Sequence, residues 1–127
     1  MPIGRDFPWY PYKIGRDFPS FPYNFASILA RAPAQGGVYA LFKDGVWIYI
    51  GETGDIRSRL LQHLNGDDHC ITTNAPAAFQ FELVKADQRV ARQHHLILAA
   101  LKPVCNQIWA KSNSDLSRQS ERSQTPV

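Results

Sequence analysis

Four side chains of this sequence have types and spacings that could perform chemistry together. Tyr39 and Tyr49 lie ten residues apart, on either side of residues 43–45, and Arg59 and His63 follow with a spacing of four. A phenol is a poor base at its usual pKa near 10, so a catalytic tyrosine needs a neighbouring cation, for which Arg59 is the nearest candidate. Taken singly, these residues could equally be cross-strand packing, a helix flank and a surface histidine. Their joint placement indicates a site.

The segment 37–50 predicts the β-hairpin that would carry both tyrosines. Residues 37–42 and 46–50 are rich in β-branched and aromatic side chains. A two-residue loop would place the tyrosines on opposite faces. We expect instead a three-residue loop that pairs residue 42 with residue 46, with Gly45 in the left-handed conformation. Tyr39 and Tyr49 are then cross-strand neighbours, with Cβ atoms about 5 Å apart. One face carries only apolar side chains, and the other carries Tyr39, Leu41, Trp47 and Tyr49.

A helix after the hairpin would bring Arg59 and His63 to the tyrosines. Asp55 can cap this helix, which we expect to run to about Asn65 and to end at Gly66. Its apolar stripe is Ile56, Leu60 and Leu64, and Arg59 and His63 lie at one edge of that stripe.

Three further elements complete the predicted domain. Residues 25–32 predict a short helix and residues 78–85 a third strand. Asp87 can cap a last helix that Pro103 ends, with one face formed by Val90, His94, Ile97, Leu98 and Leu101. The pattern predicts an α/β fold, a small sandwich in which helices flank a three-stranded antiparallel sheet.

The motifs that these elements carry resemble the GIY-YIG nuclease family. Gly-Val-Tyr at 37–39 and Tyr-Ile-Gly at 49–51 match its two defining motifs, and Arg59 follows eight residues after the second. Leu-Lys-Pro-Val-Cys-Asn at 101–106 matches the end of the family's last helix. The resemblance therefore extends from residue 37 to residue 106.

The resemblance implies an endonuclease that hydrolyses DNA phosphodiester bonds with a divalent metal, usually Mg²⁺, with Mn²⁺ as an alternative. Tyr39 and Tyr49 would orient or deprotonate the attacking water, Arg59 would stabilise charge on phosphate oxygens, and His63 would hydrogen-bond within the site or handle protons. The substrate would approach closely at Gly37, Gly51 and Thr53.

The metal position departs from the family pattern. Relatives carry a glutamate nine residues before the helix-ending proline, where this sequence has His94, and residues 89–102 contain no carboxylate. Mg²⁺ prefers oxygen ligands, so His94 would suit a softer ion, or Glu52 would supply the carboxylate, with Glu82 a weaker alternative. The other interpretation is that catalysis is lost and the site binds DNA or another phosphate ligand without cleaving it.

Charge and composition set broader limits. The net charge is +3 over 127 residues, yet residues 36–106 hold seven basic and seven acidic side chains. Phosphate neutralisation drives non-specific DNA affinity, so the charge alone supports DNA binding only weakly. The longest apolar run is too short to span a membrane, and Cys70 and Cys105 show no metal-ligand spacing, so we expect a cytoplasmic protein with free thiols.

The two ends of the chain differ from its centre. Residues 3–13 (IGRDFPWYPYK) recur at 14–24 as IGRDFPSFPYN. We expect residues 1–24 to be an arm that either lies on the domain or docks a protein partner or unpaired bases. Residues 25–110 would form the GIY-YIG-like domain, and 111–127 would be a disordered polar tail. Oligomeric state does not follow from the sequence.

Overall fold

The computed structural model describes residues 12–101 and 103–106, which form a four-stranded antiparallel sheet flanked by helices. The strands are β1 (Phe21–Pro22), β2 (Gly37–Lys43), β3 (Val46–Thr53) and β4 (Ala78–Leu83), and their order across the sheet is β1-β4-β2-β3. This confirms the predicted α/β class with one strand added. β1 has two residues, too few to produce an alternating pattern in the sequence.

In the described part of the chain, four α-helices accompany the sheet: α1 (Phe25–Arg31), α2 (Ile56–Leu64), α3 (His69–Asn74) and α4 (Arg89–His95). The first three begin at capping side chains, Asn24, Asp55 and Asp68, each of which accepts a hydrogen bond from a backbone N–H three residues later. α3 was not predicted, because its six residues carry little apolar periodicity. No helix in the described part of the chain is long and apolar enough to cross a membrane.

The two sheet faces pack into separate clusters. One face carries Tyr39 and Leu41 and is covered by α1, α2 and α3, through residues such as Ile28, Leu60 and Ile71. The other carries Val38, Ala40 and Ile50 and is covered by Leu96 and Ile97 of the last helical segment. The tyrosine motifs therefore lie in the middle of the sandwich.

The predicted hairpin register was wrong in its loop. Asp44 and Gly45 form a two-residue turn with φ of 52° and 79°, and Lys43 pairs with Val46. The turn therefore gives a left-handed backbone to an aspartate as well as a glycine, and aspartate tolerates that conformation better than most residues.

A bulge in β3 nevertheless brings the tyrosines to one face. The register shifts so that Leu41 pairs with Tyr49 while its neighbour Phe42 pairs with Trp47, leaving Ile48 as the extra residue. Tyr39 pairs with Gly51 and is diagonal to Tyr49 rather than opposite it. Because of the bulge, the β3 residues that precede Ile48 point to the opposite face from the one predicted. Trp47 therefore packs against Phe42, with ring centroids 4.9 Å apart, and does not lie on the tyrosine face.

The last helix also differs from its prediction. Asp87 lies within a 3₁₀ turn (Ala86–Gln88) and caps nothing, and α4 continues as a π-helical segment, Leu96–Leu101. Because i→i+5 bonds widen the helix, spacings of three and four no longer mark one face. Leu96 and Ile97 are buried, whereas three members of the predicted face are exposed: Val90, His94 and Leu98.

Residues 12–24 pack against the sheet. The Ile14 N–H donates to Glu82 Oε2 (3.1 Å), the Gly15 N–H donates to Gln80 Oε1 (2.9 Å), and the Gln80 amide donates back to the Gly15 carbonyl (2.8 Å). Phe21 lies in the core beside α1. Most of the first repeat copy, residues 1–11, lies outside the described residues, as do residues 107–110 and the predicted tail at 111–127.

Cys70 and Cys105 form a disulfide, so the expectation of free thiols was wrong. The bond joins α3 to the turn at 103–106. The two cysteines are 35 residues apart in sequence, and only folding brings these segments together.

Candidate active site

Gly51 makes room for both phenols at the centre of the sheet. It is the direct partner of Tyr39 across β2 and β3, and a Cβ added to it would collide with the Tyr39 hydroxyl and lie 2.8 Å from Tyr49 Cε2. The two tyrosine rings have centroids 6.0 Å apart and planes inclined at 40°. The glycine of the second motif is therefore required by close packing of the tyrosines.

His63 lies beneath both tyrosines. Its Nε2 is 2.7 Å from the Tyr39 hydroxyl oxygen, and its ring meets Tyr49 edge-on with centroids 5.3 Å apart. The sequence placed His63 at the edge of the α2 stripe, but it is 3% exposed, whereas Leu64 is 36% exposed. α2 thus faces the sheet through Ile56, Leu60 and His63.

Asp67 joins His63 to Arg59 and was missed by sequence analysis. One carboxylate oxygen lies 2.9 Å from His63 Nδ1, and the other lies 2.9 Å from an Arg59 terminal nitrogen, which also donates to Gln62 at 2.6 Å. Gly66, with φ of +87°, reverses the chain after α2 and lets Asp67 fold back over the last turns. An acid directly after a helix-ending glycine is the signal that could have revealed it.

The environment keeps both tyrosines protonated. Burial raises the pKa of Tyr39 far above its ordinary value, nearby Tyr49 raises it further, and Arg59 lowers it only in part. Burial likewise raises the pKa of Tyr49, against the opposing charge of Arg59. The sequence suggested Arg59 as a cation that lowers a tyrosine pKa, but desolvation outweighs it in the free protein.

The His63–Asp67 pair is neutral imidazole beside ionised carboxylate. Burial lowers the pKa of His63, and the hydrogen bond and charge of Asp67 offset part of that shift. Desolvation acts to raise the pKa of Asp67, but its bonds to His63 and Arg59 prevail and lower it.

The site opens to solvent on the Tyr49 and Arg59 side. Tyr39 is 1% exposed, Tyr49 is half-buried, and the Arg59 side chain is 37% exposed. A ligand from solution would therefore meet Arg59 and Tyr49 first, with Tyr39 and His63 behind them.

The structure does not assemble the expected metal ligands. His94 is exposed on α4, and Glu52 pairs with Val38 on the opposite face from the tyrosines. Glu82 is taken by a bidentate bond with Arg92, at 2.8 and 2.7 Å. Among the described residues no three His, Cys, Asp or Glu side chains form a cluster that could hold a metal ion, so the protein does not by itself supply a full set of side-chain ligands.

Gly37 and Thr53, expected to contact substrate, have local structural roles. A Cβ on Gly37 would collide with the Glu82 carbonyl oxygen of the neighbouring strand. The Thr53 hydroxyl accepts from the Asp55 N–H at 3.1 Å, which joins the end of β3 to the start of α2.

Asn106 supports the site from the free edge of β3, the strand at one end of the sheet. Its buried side chain accepts from the Ile50 N–H (2.6 Å) and donates to the Ile50 carbonyl (2.8 Å), in the middle of the Tyr-Ile-Gly motif. Gln93 donates to the same carbonyl at 3.0 Å. The Pro-x-x-Asn motif was recognised in the sequence, but its contact with Ile50 was not predicted.

Comparison with known proteins agrees with this geometry. The family model described as the GIY-YIG catalytic domain matches residues 35–95. The magnesium-bound GIY-YIG N-terminal endonuclease domain of UvrC from Thermotoga maritima is 27% identical, with a TM-score of 0.52, covering 59% of this chain and 86% of that one. A point mutant of the same domain, bound to its catalytic divalent cation, is 26% identical with a TM-score of 0.51, covering 57% and 83%. No curated protein matches the chain.

The matched segment contains both tyrosine motifs, Arg59, His63 and all of α4. The part of the chain from residue 35 to residue 95 therefore belongs to the GIY-YIG catalytic domain family.

Proposed function

We propose that this protein is an endonuclease that hydrolyses phosphodiester bonds of DNA, with a divalent cation, Mg²⁺ or Mn²⁺, as cofactor. The observation that carries the proposal is the convergence of Tyr39, Tyr49, Arg59 and His63 at one opening of the sheet. The similarity to a UvrC endonuclease domain bound to a divalent cation supports it.

Each side chain has a role that suits its position. Arg59 and Tyr49, at the opening, would contact the scissile phosphate, where the permanent charge of Arg59 stabilises the negative charge that develops on the phosphate oxygens. Tyr39 would orient or deprotonate the attacking water, and His63 would accept the hydrogen bond of the Tyr39 hydroxyl. Gly51 allows these groups to approach one another.

No reaction step is assigned to the metal, because the described residues contain no cluster of three metal-binding side chains. His94→Glu tests the position at which relatives carry the ligand. We expect tighter Mg²⁺ binding by calorimetry and faster cleavage from this variant. His95→Glu is the matched control, since His95 is the exposed neighbour and lies about 100° around the helix. Equal Mg²⁺ binding by the two variants would exclude position 94.

The function itself is tested by cleavage of supercoiled plasmid and branched DNA in Mg²⁺ or Mn²⁺. Arg59→Ala should abolish cutting, whereas Arg59→Lys, which keeps the charge but loses the planar fork, should retain part of it. Undiminished cutting by Arg59→Ala would remove the role assigned to this residue.

A binding module is the second candidate, favoured by the exposed imidazole at position 94 and by the neutral charge of residues 36–106. It predicts DNA binding that depends on Arg59 and no cleavage in any ion.

A protein partner for the arm is a third candidate. Because Ile14 and Phe21 are buried, its test is deletion of residues 1–11 rather than of the whole arm at 1–24.

A cytoplasmic location is part of the proposal, and the Cys70–Cys105 disulfide opposes it, since disulfides persist mainly in oxidising compartments. Mass spectrometry of protein taken from cells with its thiols blocked would show whether Cys70 and Cys105 are paired there.

A further inference from the structure

The carboxylate of Asp67 is the charged group of the site to which the proposed reaction gives no role. It comes from outside the tyrosine hairpin and outside α2, yet its two oxygens contact His63 and Arg59, each at 2.9 Å. Its side chain is 33% exposed while that of His63 is 1% exposed. Asp67 thus reaches a buried ring from the surface.

The contact with Asp67 determines which His63 nitrogen carries the proton. An ionised carboxylate only accepts hydrogen bonds, so His63 Nδ1 must be the donor at this 2.9 Å contact. In a neutral ring the other nitrogen, Nε2, then has a free lone pair. Nε2 lies 2.7 Å from the Tyr39 oxygen, so the Tyr39 hydroxyl donates to it.

The burial of Tyr39 limits the groups that can accept its proton. Tyr39 is 1% exposed, so a protein group rather than bulk water has to accept its proton, and the attacking water has to enter through the opening at Tyr49 and Arg59. The Arg59 side chain also hydrogen-bonds to Tyr39, but a guanidinium can only donate, so among the described residues the neighbouring nitrogen that can accept the Tyr39 proton is His63 Nε2. In hydrolase triads a carboxylate orients a histidine that accepts the proton of a hydroxyl group. Asp67, His63 and Tyr39 are connected in the same order.

We propose that Asp67 is a positioning residue, which holds His63 as the Nδ1–H tautomer so that Nε2 can receive the Tyr39 proton during hydrolysis. This rests on the proposed endonuclease function. As the water oxygen bonds to phosphorus, one water proton passes to the Tyr39 oxygen and the Tyr39 proton passes to His63 Nε2. The bond from phosphorus to the departing sugar oxygen breaks, and that oxygen keeps the electron pair and takes a proton from solvent. The imidazolium later returns its proton to solvent.

The groups around His63 are consistent with this direction. From the strands it faces the neutral phenols Tyr39 and Tyr49, and from its own helix the cation Arg59. The acids that act on it are Asp67, in direct contact, and Asp68, whose side chain caps α3. Asp67 therefore supplies the contact that can stabilise a transient positive charge on the ring.

The test compares Asp67 with its neighbour. Asp67→Ala removes the contact with His63, whereas Asp68→Asn removes a charge one residue away and keeps the helix cap, since asparagine caps as well as aspartate. Asp67→Asn keeps an acceptor oxygen without the charge. Thermal unfolding of all three variants checks that each one folds.

Ring ¹⁵N NMR reports the tautomer without any need for activity. We expect Nδ1–H in the wild type and in Asp68→Asn, and a change to Nε2–H in Asp67→Ala, in which Tyr39 would become the acceptor. The His63 signals are identified by their loss in His63→Gln. An Nε2–H ring in the wild type, or an unchanged tautomer in folded Asp67→Ala, would overturn the proposal.

The pH profile of cleavage tests the chemical part. Asp67→Ala should lower kcat about 10-fold to 100-fold, and Asp67→Asn should lower it less. Asp67 stabilises the protonated form of His63, so removal of its charge should lower the pKa of His63. The acid limb of the pH profile of kcat should therefore move to lower pH in Asp67→Asn, and much less in Asp68→Asn. Loss of kcat without that movement would overturn the proton-transfer role. A wild type that cuts no DNA would instead refute the endonuclease function and, with it, the proton transfer. The NMR result would still show whether Asp67 determines the tautomer of His63.

Discussion

Asn106 holds both backbone groups of Ile50, the central residue of the Tyr-Ile-Gly motif, with hydrogen bonds of 2.6 and 2.8 Å. The side chain is 3% exposed and comes from the turn after the last helical segment. Cys105, its neighbour in sequence, is joined to Cys70 of α3. The strand that carries Tyr49 and Gly51 is thus held along its outer edge.

Replacing Asn106 should destabilise the fold and disturb the site. Asn106→Ala leaves the Ile50 N–H without its side-chain partner, whereas the Ile50 carbonyl keeps the Gln93 amide. A buried group left unpaired costs about 1–3 kcal/mol, and we expect a loss of about that size, measured by urea unfolding. Asn65→Ala, at an exposed position, should change stability by less than about 0.5 kcal/mol. Equal stability of the two variants would contradict the supporting role of Asn106.

Gly51→Ala should displace the Tyr39 ring. The added methyl group would collide with the Tyr39 hydroxyl, and overpacking of this kind costs about 1–3 kcal/mol. Gly54→Ala is the matched control, because the nearest atom to its Cβ is an Arg89 nitrogen at 3.8 Å. We expect a lower unfolding temperature and slower cleavage for Gly51→Ala but not for Gly54→Ala. If Gly51→Ala had the unfolding temperature and cleavage rate of the wild type, the close approach of Gly51 and Tyr39 would be refuted.

Reduction of the Cys70–Cys105 disulfide should lower stability. The bond closes a loop with a sequence separation of 35, for which the chain-entropy model gives about 3–4 kcal/mol. Calorimetric scans with and without dithiothreitol should show the unfolding temperature falling on reduction. The Cys70→Ser, Cys105→Ser double variant should unfold at the lower temperature whether or not dithiothreitol is present. If the unfolding temperature of the wild type also did not change on reduction, the disulfide would contribute nothing to stability.

The Glu82–Arg92 pair should make stability depend on acidic pH. Desolvation acts to raise the pKa of Glu82, but bonds from Arg92 and the Ile14 N–H outweigh it, so the pKa lies below its ordinary 4.5. The unfolded chain then binds the proton more readily, and the stabilisation is complete above about pH 5 and is lost as the pH falls through the folded pKa.

Comparison with Glu82→Gln isolates this effect. The difference in unfolding free energy between wild type and variant should be largest above pH 5 and should shrink below pH 4.5. Asp67, whose pKa is also lowered, is present in both proteins and cancels. A difference that stays constant with pH would show that Glu82 does not titrate as inferred.

Local patterns in the sequence were enough for the elements whose signals lie within a few neighbouring residues. The strands at 37–43 and 46–53 and the α2 helix from its Asp55 cap to Gly66 follow from β propensity, capping and a terminal glycine. The spacing of the two tyrosine motifs and Arg59 identified the family that the comparison confirms.

The tertiary structure decided the features that depend on partners distant in the chain. Tyr39 and Tyr49 share a face because of a bulge at Ile48, not because of the loop that sequence patterns favoured. His63 is buried because Tyr39 and Asp67 satisfy both of its nitrogens, and a polar ring can leave water only when its hydrogen bonds are replaced. No spacing rule encodes that replacement, since it exists only after the hairpin, α2 and the Gly66 turn have packed together.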